Sequence, residues 1–209
     1  MTRYFYLHGF ASSPRSSKAQ DFVRRFRAQN LDLQVPDLNQ GDFTHLTLTR
    51  QLQQVQAEFL PGSITVIGSS LGGLTAAWLG QRCPQVDRLV LLAPAFDFLA
   101  HWLPKLGENQ LQQWRSGQPL AVYHHGEERL LPLDYQFVAD CVEYDQAQLQ
   151  RSIPTLILHG IHDDVIPVQA SRDYGATRPW VNLVELNSDH GLAEVKDQIW
   201  SAVQEFCFK

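Results

Sequence analysis

The sequence contains no run of 18 apolar residues, so a membrane-spanning helix is not expected. It has no Lys/Arg-rich run either. Its 17 basic residues stand against 22 acidic ones, a net charge of −5, which argues against nucleic acid as a partner. The small cluster Arg24, Arg25 and Arg27 reads as a solvated helix face. Cysteine is scarce: Cys83, Cys141 and Cys207 lie far apart and form no C-x-x-C pair, as expected of reduced thiols in a cytoplasmic protein. A strand-like run begins at Arg3, leaving no room for a signal peptide, which agrees with that location. No G-x-G-x-x-G and no P-loop occurs, so no nucleotide cofactor is implied. His124-His125 has no carboxylate or cysteine at ligand spacing and reads as a solvated turn, so no metal is expected.

What the sequence does contain is an ordinary globular composition, 44% hydrophobic and 19% charged over 209 residues, suited to one domain with a full core. Strand-like and helix-like runs alternate. Strands are predicted over Arg3–Leu7, Leu31–Val35, Ser63–Ile67, Asp87–Ala93, Thr155–Leu158 and Val181–Leu186. Leu89-Val90-Leu91-Leu92 is apolar on both faces, as a central parallel strand requires. Helices are predicted over Ser17–Gln29, with Ser17 and Gln20 at capping-box spacing, and over Thr44–Leu60, Leu71–Arg82, Pro167–Thr177 and Ala193–Phe206. Six strands alternating with helices predict an α/β fold, a doubly wound and mostly parallel sheet.

Residues 94–150 break the rhythm and are too long for a simple crossover. A helix over Phe96–Leu106, a hairpin around His125-Gly126 and a helix over Asp134–Tyr144 are predicted there. Such an insertion at the carboxyl edge of a sheet is expected to act as a lid or cap within the single domain.

Gly68-Ser69-Ser70-Leu71-Gly72 is a G-x-S-x-G stretch set between a strand and a helix. A strand that turns sharply into a helix at a serine lifts that hydroxyl above the sheet edge. Gly72 and Gly73 lie in the first helical turn, where each costs about 1 kcal/mol relative to alanine, and close packing or close approach to a substrate would justify that cost. A serine hydroxyl needs a base, and the base needs an anion to hold its tautomer. Asp163 and Asp164 follow one predicted strand and His190 follows the next, in the order Ser, acid, His. Asp189 adjoins His190 too closely to bond its imidazole, and His162 sits in the acid's own loop. His8 and His159 each precede a glycine at a strand end and read as organisers of local hydrogen bonds.

Three stretches carry a family likeness: Leu7-His8-Gly9-Phe10-Ala11-Ser12-Ser13-Pro14-Arg15-Ser16, Ile67-Gly68-Ser69-Ser70-Leu71-Gly72-Gly73, and the Asp163 and His190 loops. The chain resembles the compact bacterial YqiA-like esterases of the α/β-hydrolase superfamily and, more loosely, related serine thioesterases. The resemblance covers most of the chain outside residues 94–150. It implies Ser70 as nucleophile, His190 as base and Asp163, rather than Asp164, as acid. It also implies the backbone N–H groups of Phe10 and Leu71 as oxyanion donors. The expected substrate is a small acyl ester or thioester, with Phe96, Phe98 and Trp102 of the insertion as pocket candidates. The same serine would also suit a lyase, an acyltransferase or a peptidase, and the fold would suit a ligand-binding relative without turnover.

Overall fold

The computed structural model describes residues 2–208. The chain runs β1 (Arg3–Leu7), α1 (Ser17–Ala28), β2 (Leu33–Gln34), α2 (Leu48–Ala57), β3 (Ile64–Ser69), α3 (Leu71–Arg82) and β4 (Val86–Leu92). An insertion follows, with α4 (Phe98–Trp102), a 3-10 turn (Leu103–Leu106), α5 (Glu108–Arg115), β5 (Leu120–His124), β6 (Arg129–Leu133) and α6 (Gln136–Val142). The core resumes with β7 (Thr155–Gly160), α7 (Val168–Ala176), β8 (Val181–Leu186) and α8 (Lys196–Phe208).

Among the described residues the main sheet has the order β2-β1-β3-β4-β7-β8, and every pairing in it is parallel. Side chains alternate across it. Phe5, Leu7, Leu89 and Leu91 face one core with α2, α3 and α7; Tyr4, Tyr6, Val90 and Leu92 face the other with α1 and α8. The chain leaves β1 for β2 and returns to β3 on the far side of β1. Strand order therefore reverses between β1 and β3, and the carboxyl ends of those strands are where such sheets bind ligands.

Local sequence explains most element ends. Thr47 caps α2, its side chain accepting from Arg50 N, so that helix starts at Leu48 and not at the expected Thr44. Residues 44–46 make a turn whose Thr44 carbonyl accepts Asp134 N at 2.9 Å. Ser16, not Ser17, caps α1 by accepting from Ala19 N, and Gln20 turns to the Pro14 carbonyl, so the expected capping box does not form. The last helix opens at Lys196, after a turn over 194–195.

The insertion shares the main core. Phe98, Trp114, Leu133, Phe137 and Tyr144 pack in the same cluster as Phe5, Leu71 and Ile157. The expected hairpin is β5–β6, antiparallel, and its turn is tied down by His125 N donating to Ala11 O at 2.8 Å. His124 is buried against the Phe43 ring, 5.0 Å between centroids, which corrects the solvated turn expected there. Helix α5 is an element the sequence did not announce. Its residues are mostly polar, and it is anchored by buried Trp114, whose Nε1 donates to Leu133 O at 2.7 Å.

Candidate active site

The turn at Ser70 is built by contact distances that exclude side chains. A Cβ on Gly72 would lie 2.3 Å from Leu7 O, and one on Gly68 would lie 2.2 Å from Gly72 O. Both obstacles are backbone, so neither can swing aside. Gly72→Ala should lower unfolding stability by about 1–3 kcal/mol, read from urea denaturation. Wild-type stability in that variant would contradict the close β1–α3 packing.

With the glycines in place, Ser70 adopts φ 53°, ψ −120° between β3 and α3. Few non-glycine residues hold such angles, and the strain is of order 1–3 kcal/mol. Neighbouring hydrogen bonds impose it. Ser70 N donates to Leu92 O at 2.9 Å, and Ser70 O accepts from Gly73, Leu74 and Ala95 N–H. The hydroxyl then stands above the carboxyl edge. His190 Nε2 lies 3.0 Å from Ser70 Oγ, and His190 Nδ1 lies 2.6 Å from Asp163 Oδ2.

The Asp163 carboxylate is fully buried and surrounded by donors. Oδ1 accepts the N–H groups of Val165 and Ile166 at 2.9 and 2.8 Å. Oδ2 faces His190 and also His159 Nε2 at 3.1 Å. His159 Nε2 lies 2.9 Å from Ile166 O as well; both neighbours are acceptors, so this nitrogen carries the proton. Burial alone would push the Asp163 carboxyl up. The hydrogen bonds from His159 and His190, the charge of His190 and the Ile166 amide outweigh it, holding the group well below the usual carboxylate range.

The other expected candidates separate in space. Asp164 is exposed, and its carbonyl accepts from Lys105 of the 3-10 turn. Asp189 Oδ1 takes the N–H groups of Gly191 and Leu192. His162 is exposed and bonds Asn187. His8 is buried, its Nε2 accepting Leu38 N at 3.0 Å, so it braces the loop after β1. Among the described residues, no protein acceptor takes the N–H of Phe10 or of Leu71.

A cavity of about 490 Å³ opens over Ser70 and His190. Phe10, Phe98, Trp102 and Val165 form its apolar wall, and the Phe98 and Trp102 rings stack at 5.2 Å. Phe96 does not line it. This residue lies in the turn before α4, and its buried ring stacks on Tyr174 of α7 at 4.1 Å. Lys18 and Lys196, from the two helices on the other face of the sheet, line it too. Sequence reasoning passed over Lys18, although one signal was present: a lysine in the first turn of a helix opposes the helix dipole.

Sheet order, turn and cavity together are those of an α/β hydrolase. Within that class, the chain belongs to the family described as Uncharacterised protein family (UPF0227), whose model matches residues 3–207. Solved structures share the fold. α/β hydrolase domain-containing protein 10 from mouse superposes with a TM-score of 0.77 at 19% identity, over 97% of this chain and 88% of that one. Est1E from Butyrivibrio proteoclasticus gives 0.77 at 20% identity, over 98% and 86%. The pimeloyl-[acyl-carrier protein] methyl ester esterase of Nitrosomonas europaea is 36% identical over 101 residues. That match spans 46% of this chain and 39% of the esterase. No helix among the described residues is long and apolar enough to cross a membrane.

Proposed function

We propose that this protein is a serine hydrolase of carboxylic esters or thioesters. The observation that carries the reading is the unbroken hydrogen-bonded chain from Asp163 through His190 to Ser70, with Ser70 facing a cavity. The partial likeness to a methyl ester esterase supports the same reaction class.

Ser70 Oγ attacks the acyl carbonyl carbon while His190 Nε2 takes its proton. The carbonyl electron pair moves onto oxygen, and the N–H groups of Phe10 and Leu71 receive the resulting oxyanion. Collapse expels the alcohol or thiol, protonated by His190, and leaves an acyl-Ser70 ester. Water then attacks that ester as His190 takes its proton, and the acid leaves with Ser70 restored. Asp163 keeps Nδ1 protonated, so that Nε2 is free to act as the base. The apolar wall of Phe10, Phe98 and Trp102 receives the acyl chain, and residues 94–150 act as a cap that is part of the core. No step calls for a metal or a cofactor.

Fluorophosphonate labelling tests the reading. Wild-type protein should label at Ser70, and a Ser70→Ala control should not. Wild-type protein that resists the probe as fully as the control would defeat the serine-hydrolase assignment. A p-nitrophenyl ester panel of increasing acyl length should show a clear optimum, whereas a flat response would count against the apolar wall as acyl pocket.

A further inference from the structure

The cavity over Ser70 has two unlike walls. Besides the aromatic side chains, Lys18 lines it from the first turn of α1, and its Nζ donates to Ser69 Oγ at 3.0 Å. Three features make this lysine costly to the fold. It stands at the positive end of a 12-residue helix, where a cation is disfavoured. It is half-buried, and burial pulls its ammonium down to about 8, against the opposing effect of Asp163 and Asp189. Among the described residues, no carboxylate lies within ion-pair distance of it.

The two nearby acids are already committed. Asp163 is held by two histidines and two backbone amides, and Asp189 by the amides that follow it. Lys196, from the start of α8, reaches Ser17 at 3.5 Å and lines the same cavity, adding a second cation. Ser16 and Ser17, the cap and first residue of α1, line it too. The cavity therefore has a cationic, polar part besides its apolar one, and Lys18 reaches the residue next to Ser70.

Resting on the serine-hydrolase reading, we propose that Lys18, assisted by Lys196, selects esters that carry an anionic group, a carboxylate or a phosphate, alongside the scissile bond. A bound anion would supply the partner that the fold withholds from the Lys18 ammonium. It would also meet the positive end of α1. Lys18 is thus a specificity-determining residue, and the reacting atoms belong to Ser70 and His190.

The anion could lie on the acyl part or on the leaving group, and matched esters separate the two. One pair is mono-p-nitrophenyl adipate against p-nitrophenyl hexanoate. The other is S-butyryl-4′-phosphopantetheine against S-butyryl-pantetheine. In wild-type enzyme, the anionic member of at least one pair should have the higher kcat/KM. Lys18→Gln should cut that anionic-to-neutral ratio about 10- to 100-fold, chiefly through KM. A purely structural role would instead lower both members together and leave the ratio unchanged. In the wild type alone, the preference should weaken with added salt, which keeps the test open should the variant fail to fold. Protein that labels at Ser70 yet prefers neither anionic ester overturns the Lys18 assignment only. Absence of labelling overturns the serine-hydrolase reading, and this proposal with it.

Discussion

Ser70→Ala should lower kcat for ester hydrolysis by about 10⁶-fold while leaving the fold intact. In the proposed mechanism the nucleophile's contribution cannot be divided from that of its base, so His190→Ala should cost nearly as much and the double variant little more. Stability should separate two substitutions at this position. Alanine keeps a Cβ, and therefore keeps the strain of φ 53°, ψ −120°. Glycine adopts such angles freely, so Ser70→Gly should be more stable than Ser70→Ala by about 1 kcal/mol despite its greater unfolded-state freedom. Thermal unfolding of the two inactive variants checks this, and equal midpoints would mean that the turn stores no strain. A kcat within tenfold of wild type in Ser70→Ala would remove the serine from the reaction.

Asp163→Asn is expected to lower kcat by about 10⁴-fold and stability by roughly 1–3 kcal/mol. Both effects come from the donor count. The carboxylate faces donors on every side, two backbone N–H groups at Oδ1 and two histidine nitrogens at Oδ2. An amide presents N–H hydrogens on one side, so either orientation sets donor against donor in a site closed to water. If the amide nitrogen faces His190, the imidazole must turn its unprotonated nitrogen inward and aim N–H at Ser70. The base is then the wrong tautomer. The alternative Asp164→Asn should change kcat little, since that side chain is exposed. A reversed result, with Asp164 the sensitive position, would reassign the acid.

The depressed Asp163 ionisation carries a pH consequence whose sign is fixed. A carboxyl whose folded pKa lies below its unfolded value stabilises the fold above about pH 3.9, and that contribution is lost as pH falls through the folded pKa. Acid unfolding of wild type should therefore extend to strongly acid pH. The Asp163→Asn variant should lack that part of the dependence, as urea midpoints measured between neutral and acid pH would report.

Much of the fold was legible because the signals are local. The β-branched run before Gly68, the paired glycines and the apolar face of α3 each act within a few residues of one another. The alternation of strands and helices was equally clear, since burial on both sheet faces demands continuous apolar runs such as Leu89–Leu92. Element ends were less legible. The choice between Ser16 and Ser17 as cap, or the start of α2 at Leu48, depends on which side chain reaches a free amide. Helix α5 was missed because a mostly polar segment becomes helical there around one aromatic anchor, Trp114, whose partner Leu133 is 19 residues away.

Taken alone, the sequence determined the parallel α/β architecture, the position of the serine turn and the chain order of serine, acid and histidine. Those follow from periodicity, glycine placement and strand ends, which nearby residues set. Tertiary structure decided the rest, because sequence spacing does not encode distances between loops. It brought Ser70 and His190, 120 residues apart, to 3.0 Å, and left Asp164 in solvent while Asp163 turned inward. It sent Phe96 to Tyr174 and away from the cavity. It also set Lys18, which reads as one more polar residue of a helix, in the same cavity as the aromatic side chains, with its Nζ on the residue next to Ser70.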